Sequence, residues 1–481
     1  MLFNSIEFAV FLPIVFGIYW MLRKSVRWQN LALLLASYVF YAWWEYRFLL
    51  LLIGMSSIAF ACGKAIDRSR NLTFDIGHLT FGAKFWMITN VVIDVGVLAI
   101  FKYYNFFVGS FAELLGLQDS IHSLKIVLPL GISFFTFQAI AYVVDVYKRK
   151  IEPTNLVDCL LYIGFFPKLL AGPIERPTNL IPQIQNPRVF EYDLAVDGCR
   201  QMLWGLFKKV VIADNAALYV NQVYGDYANQ SGSTLLLVAI LYTIQIYGDF
   251  SGYSDMAIGS AKLLGFRFRD NFLFPYFSRN MNEFWRRWHI SLNTWFVDYV
   301  YIPLGGSRNG KWHTIRNIMI VFLLSGLWHG ADWSFVAWGA YHGLLLVLLI
   351  LLNRNTKYEH VVAYERLCPT LKEFGQMVLV FALATFGWMM FRADNMTQFI
   401  DYTARMCRAD LLSMPNVLTG LKRTTLFIIL MLIVEWFSRN EAHAFSMTRL
   451  PKWLKWILMY GLILVILEFS GDSQSFIYFQ F

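Results

Sequence analysis

Charge is the scarce ingredient of this sequence. Of 481 residues, 15% are Asp, Glu, Lys or Arg, against about 25% in soluble domains, and that deficit excludes an ordinary water-soluble protein. Cysteine is scarce as well. The five, Cys62, Cys159, Cys199, Cys368 and Cys407, form no CxxC and no zinc-type Cys/His spacing, so neither a disulfide framework nor a structural metal is expected. No basic residue precedes the first apolar stretch and no small-residue cleavage pattern follows it, so a removable signal peptide is not expected and the first helix should be retained. Internal repeats, low-complexity tracts and Gly/Ser linkers are missing, as are GxSxG, a Walker loop, GxGxxG and HExxH. Those absences remove the commonest hydrolase, nucleotide-binding and metalloprotease readings.

What the chain does have is apolar bulk: 57% hydrophobic residues and 18% aromatic, with 17 Trp, 25 Tyr and 43 Phe. Aromatic belts at two membrane interfaces would use such a composition. Apolar runs lie near Ile6 to Leu22, Leu31 to Trp44, Phe48 to Cys62, Phe85 to Phe101, Val127 to Val144, Leu156 to Leu170 and Met202 to Leu218. Others follow at Leu235 to Tyr247, Ile318 to Trp328, Val336 to Leu352, Val378 to Met390, Leu426 to Trp436 and Trp456 to Phe469. A span needs about 17–25 residues and several runs are short, so about ten to thirteen crossings are expected. The expected fold is an all-α polytopic membrane protein, one membrane domain over residues 1–481.

The net charge of +9 is spread in short clusters between apolar runs, which reads as topology and argues against a nucleic-acid partner. Arg23, Lys24 and Arg27 follow the first run; Lys64, Arg68, Arg70 and Lys84 the third; Lys148, Arg149 and Lys150 the fifth. Short cytoplasmic loops keep positive charge, so the N-terminus is expected outside the cytoplasm. Arg308, Lys311 and Arg316, then Arg354 and Lys357, mark later cytoplasmic loops.

Three stretches divide the domain: 1–150 as peripheral helices, 151–352 as a central core and 353–481 as C-terminal helices. The core does not read as plain spans. FPKLLAGPIERPTNLIPQIQNPR holds Pro167, Pro173, Pro177, Pro182 and Pro187, and a long mixed segment runs from Gly248 to Gly310. Backbone broken at membrane depth must be buried in protein or line a wet cavity, so re-entrant and interfacial structure is expected here, and with it the site.

Of eight histidines, His78, His122, His360 and His443 lie in polar connections and His313 in a basic loop, where a solvated side chain is the expectation. His329, in VFLLSGLWHGADWSFVAWGAYHG, sits in an apolar stretch whose other ionisable residues are Asp332 and His342. An imidazole there is costly unless it faces protein or a cavity, which makes function the default reading against a plain interhelical hydrogen bond; Gly330 beside it allows close approach. His289, in FWRRWHISLNTWF, reads as part of an amphipathic helix at the cytoplasmic interface, with Trp285, Arg286, Arg287 and Trp288. His342 reads as a packing histidine. Asp249 and Asp255 stand six residues apart, about 120° around an ideal helix, and need not act as a pair; small residues around them suit tight helix packing. Asp94, Asp145 and Glu435 read as single acids with structural partners.

Taken together, the SIEFAVFLPIVFGIYW opening, LPLGISFFTFQAIAYVVDVYKRK, FFPKLLAGPIERP, YGDFSGYSDMAIGSAKLLGFRFRDNF, FWRRWHISLNTWFVDYVYIPLGG, LSGLWHGADWSFVAWGAYHG and the terminal FIYFQF resemble the membrane-bound O-acyltransferase family. The resemblance is to its bacterial alginate and peptidoglycan O-acetyltransferase branch. It implies a ring of transmembrane helices around a central tunnel in the bacterial cytoplasmic (inner) membrane. His329 matches the catalytic histidine and His289 the second histidine, with Asp249, Tyr253, Asp255, Trp285, Arg286, Arg287 and Trp328 as candidate lining of the substrate and donor tunnel. It implies no permanently bound cofactor, an acyl thioester donor, most simply acetyl-CoA, an exported polysaccharide acceptor, and a periplasmic or extracellular SGNH-type acetyltransferase partner beside membrane lipid. In that mechanism phosphates of the donor are attracted by Arg286, Arg287, Arg308 and Lys311, and His329 acts as general base or is itself transiently acetylated. The segment from Arg392 to Arg423 is the candidate docking surface for the partner. Two other readings are a D-alanyl transferase for teichoic acid and a transporter using intramembrane His and Asp.

Overall fold

The structure, a computed structural model, describes residues 1–71, 82–116, 124, 126–170, 172–415, 420–448 and 450–479. His78, His122 and the last two residues of FIYFQF lie outside them. Among the described residues every regular element is helical. Five helices among the described residues are long and apolar enough to cross a membrane: Arg47–Arg70, Ala83–Leu115, Gly232–Leu263, Trp333–Leu351 and Leu371–Arg392. Ile6–Met21 and Ile132–Tyr147 are shorter apolar helices.

Two of the expected runs are built differently. The run from Leu156 to Leu170 breaks at an extended Phe165 into Leu156–Gly164 and Phe166–Leu169. Pro167 enters the first turn of the second piece, where its missing N–H is not needed, and the break is buried in protein, as unsatisfied backbone at that depth requires. The mixed segment expected from Gly248 onward is helical as far as Leu263, because Gly232–Leu263 is one helix of 32 residues. No proline interrupts it, and its carboxylates find lateral partners. His443, expected in solvent, is also buried; the turn around it folds inward, with Phe445 stacked on Trp204 at 5.6 Å.

The chain forms two compact units, Met1–Gly198 with Ala257–Arg269, and Cys199–Met256 with Asp270–Phe481. In the first, Arg188 is a buried pin: its guanidinium donates to Tyr19 OH at 2.8 Å, to Asn30 Oδ1 at 2.8 Å and to Gln29 Oε1 at 3.2 Å. In the second, Lys311–His329 and Trp333–Leu351 form an antiparallel hairpin whose crossing depends on two glycines. A Cβ on Gly326 would overlap the Phe335 carbonyl, and one on Gly339 the Phe322 carbonyl. Gly339→Ala should therefore cost about 1–3 kcal/mol through forced separation of the helices, read as a lower melting temperature in detergent. Gly461→Ala, where a Cβ meets nothing within 4 Å, should leave that temperature unchanged or slightly raised.

Candidate active site

His329 is the final residue of Lys311–His329. The chain turns there because Gly330 is extended and Asp332 caps the next helix, accepting from Ser334 N–H at 2.7 Å. Side-chain bulk at position 330 would drive into the Phe335 ring. The buried imidazole of His329 is boxed by aromatic rings: Trp338 at 4.9 Å, Trp328 at 5.0 Å, Phe391 at 5.2 Å and Tyr478 at 5.5 Å between centroids.

His289 departs from expectation. In place of an amphipathic helix at an interface, FWRRWHISLNTWF folds as two short helices, Met281–Trp285 and Ile290–Phe296, with Trp288 and His289 1% exposed. His289 itself adopts left-handed backbone, φ 45°, a conformation that costs a non-glycine residue about 1–3 kcal/mol and is held only by its surroundings. Asn293 Nδ2 donates to the carbonyls of Trp285 and Trp288, both at 2.6 Å, and Ile290 N–H donates to Asn271 O at 3.0 Å. The aromatic half of the motif is drawn inward, with Trp285, Trp288 and Trp295 all buried.

The hydrogen bonds around Asn271 settle the tautomer of His289. The Asn271 side-chain oxygen accepts from Ser291 N–H at 3.3 Å and from Ser291 Oγ–H at 2.9 Å, while its Nδ2 donates to Ser254 Oγ at 3.0 Å. A backbone N–H can only donate, so Oδ1 is the acceptor, and His289 Nδ1, 3.0 Å away, carries the proton. Burial pushes the imidazole down to about 3, so the ring is neutral in ordinary buffers. Nε2 is then a bare lone pair, buried and without a hydrogen-bond partner among the described residues. Because the folded pKa lies below the unfolded one, His289 adds stability above about pH 6.5 that is lost as the pH falls toward 3. Asn271→Asp would place a carboxylate on Nδ1–H and favour the imidazolium; a new acid limb in the pH–activity profile, displaced toward neutrality, is the expected result.

The two histidines meet on shared walls. The ring of His289 lies 5.9 Å from Trp328 and 6.3 Å from Tyr478, the same two rings that flank His329. Phe250 completes the wall, 4.6 Å from His289 and 4.5 Å from Tyr478.

The other sequence-derived candidates stand at different distances from this pair. Trp328 is in it. Trp285 is one ring further out, against Trp338 at 5.5 Å and His342 at 4.9 Å, and His342 is buried among aromatic rings. Asp249 and Tyr253 lie behind Tyr478: Asp249 accepts from Ile477 N–H at 2.7 Å and Tyr253 packs on Phe476 at 4.3 Å. Asp255 points elsewhere, to Lys208 Nζ at 2.7 Å and Gln201 Nε2 at 2.8 Å, so the two aspartates indeed serve different partners. Arg287 is engaged by Glu283 at 2.9 Å and by Leu273 O at 3.2 Å, whereas Arg286 is exposed with no ion pair among the described residues. Arg308 and Lys311 are exposed too.

Sequence reasoning passed over Asn271, Tyr478 and the adjacent lysines Lys208 and Lys209. The lysines carried a usable signal: two consecutive cations inside the apolar run from Met202 to Leu218, where each requires a partner. Asn271 carried none, being one polar residue beside Arg269 and Asp270 in a mixed polar and aromatic loop.

The model of the membrane-bound O-acyltransferase family matches residues 95–379, a span that holds both histidines. The chain is 40% identical to the probable alginate O-acetylase AlgI of Pseudomonas aeruginosa, over 82% of this chain and 73% of that one. It is 38% identical to the protein of that name in Pseudomonas putida over the whole of both chains. The peptidoglycan O-acetyltransferase of Helicobacter pylori is 30% identical, over 100% of this chain and 98% of its own.

Proposed function

The chain belongs to the membrane-bound O-acyltransferase family, and on that premise we propose that it carries acetyl groups from acetyl-CoA to an exported polysaccharide of the alginate or peptidoglycan class, with His329 and His289 at the point of transfer. It is a multi-pass membrane O-acetyltransferase; the donor, the acceptor and the roles of the histidines are our reading. The observation that carries it is the convergence of the two buried imidazoles on Trp328 and Tyr478.

In this reading the donor arrives from the cytoplasmic side, its phosphates drawn by Arg286, Arg308 and Lys311; Arg287 has a smaller part because Glu283 already holds its charge. The acceptor hydroxyl arrives from the outer side. His329 takes the hydroxyl proton as the oxygen attacks the thioester carbonyl; the new C–O ester bond forms, the C–S bond breaks, and the proton returns to the departing thiolate. His289 offers Nε2 as a fixed acceptor that orients the hydroxyl. The aromatic box keeps water away, which protects the thioester from hydrolysis. The acceptor hydroxyl belongs to an SGNH-type partner outside the membrane, docked on the segment from Arg392 to Arg423; a polysaccharide hydroxyl then attacks the partner's acetyl ester, takes the acetyl group and frees the partner's hydroxyl. The N-terminus lies on the periplasmic side of the inner membrane.

Deleting the gene should remove O-acetyl esters from the exported polymer. Proteoliposomes holding the protein and acetyl-CoA should release free thiol only when an acceptor is present. Unchanged acetyl esters together with loss of ester-linked alanine would replace the acetyl reading by D-alanyl transfer, and solute flux without any acyl donor would replace it by transport.

A further inference from the structure

The segment ahead of Tyr478 is tied down by its backbone. Gly471 N–H donates to Val210 O at 2.9 Å, Lys209 Nζ to Gln474 O at 3.0 Å, and Ile477 N–H to Asp249 Oδ2 at 2.7 Å. Asn215 Nδ2 holds the carbonyl of Phe469 at 3.0 Å. Phe476 is fully buried and Ile477 3% exposed.

Two of these bonds come from one charged unit. Lys209 stands between Asp214 at 2.7 Å and Asp249 at 2.8 Å, and all three side chains are 4% exposed or less. A buried ion cluster is weak evidence for stability, since removing the charges from water costs about as much as their attraction returns. It calls for another reason to exist. The backbone supplies the geometry: Lys208–Ala213 is a π-helical turn within an otherwise α-helical stretch, a widening often found at functional sites, and both Lys208 and Lys209 are buried there. Lys208 spends its charge on Asp255 and Ser251. Lys209 serves the segment: its ammonium reaches a backbone carbonyl directly and fixes Asp249, whose second oxygen takes the Ile477 amide.

We infer that Lys209, with Asp249 and Asp214, is a positioning unit that seats residues 474–479 so that the Tyr478 ring becomes the wall shared by His289 and His329, and that the transfer site is complete only while this segment is seated. The inference rests on the reading of the histidine pair given above. Lys209 touches no reacting atom; it acts through Asp249, Ile477 and Tyr478. With the segment released, the box loses one wall, water enters, and the acceptor hydroxyl loses its orientation, while the arginine-rich donor entrance is untouched.

The test uses the full chain in nanodiscs with Lys209→Met. Amide exchange in a peptide covering 471–479 should accelerate by about tenfold or more as local opening becomes cheaper, while peptides from Trp333–Leu351 stay as in the parent. Acetyl transfer should fall by about 10²-fold in kcat, the scale of an ångström-level misplacement, with the KM for acetyl-CoA within about twofold. Lys209→Arg, which keeps the charge, should restore part of both. Should Lys209→Met not fold, Asp249→Asn gives the same test more gently, keeping an oxygen for the Ile477 amide and removing the charge that holds Lys209. Lost transfer with unchanged exchange of the segment would overturn the inference, and so would faster exchange with full transfer. If the parent protein moves no acetyl group at all, the proposed function fails while the exchange measurement still decides whether Lys209 anchors the segment.

Discussion

His329→Ala should lower acetyl transfer by about 10²–10⁴-fold, the range contributed by a positioned proton acceptor, with the residual rate coming from binding and proximity. Acetyl esters on the exported polymer and thiol release from acetyl-CoA in proteoliposomes are the two readouts. Truncating the ring also opens a hole among Trp328, Trp338, Phe391 and Tyr478, a packing loss to be separated from the chemical one. His329→Gln serves that purpose, since it fills much of the volume and cannot accept a proton at neutral pH. If the glutamine variant has a near-parental melting temperature and transfers as poorly as the alanine variant, the loss is chemical. Full transfer by either folded variant would sink the assignment of His329 as base.

Lys208→Met is expected to be strongly destabilising. It leaves Asp255 facing a protein interior with Gln201 and without its cation, and strips Ser251 of a donor. Removing one partner of a buried pair costs about 3–5 kcal/mol; the lower end applies, because the Asp255 side chain retains 15% exposure. Lys208→Met combined with Asp255→Leu should recover much of the loss, since no unpaired charge is left. Thermal unfolding of the purified protein in detergent checks both. A double variant as unstable as the sum of the singles would mean that the pair matters through its surroundings and not through its charge.

How much of this could be read before folding differs by kind of residue. His329 announced itself by being ionisable in an apolar stretch, and the proline-rich run by being impossible as a lipid-exposed helix; both are local conflicts visible along the chain. Helix periodicity also set Asp249 and Asp255 about 120° apart, so that they need not pair, but it gave no partner for either. His289 was misplaced because its charged and aromatic neighbours fit an interfacial helix equally well, and the left-handed break that buries it depends on Asn293 and Asn271 reaching back to backbone and ring. Tyr478 could not be placed at all: its contact with His289 and His329 crosses a long stretch of chain, and no local pattern reports such a meeting.

The bond from Ile477 to Asp249 spans 228 residues, and this distance sets an order of events during synthesis. At about 5–20 residues per second, the helix bearing Asp249 waits some tens of seconds for the strand of backbone that satisfies its second oxygen. Through that interval Lys209 is the partner already present, made before Asp249 and available to it at once. A nascent chain can thus insert and pack its helices with the carboxylate half satisfied, and the rings of His289 and His329 gain their Tyr478 wall only after the ribosome has delivered the closing piece.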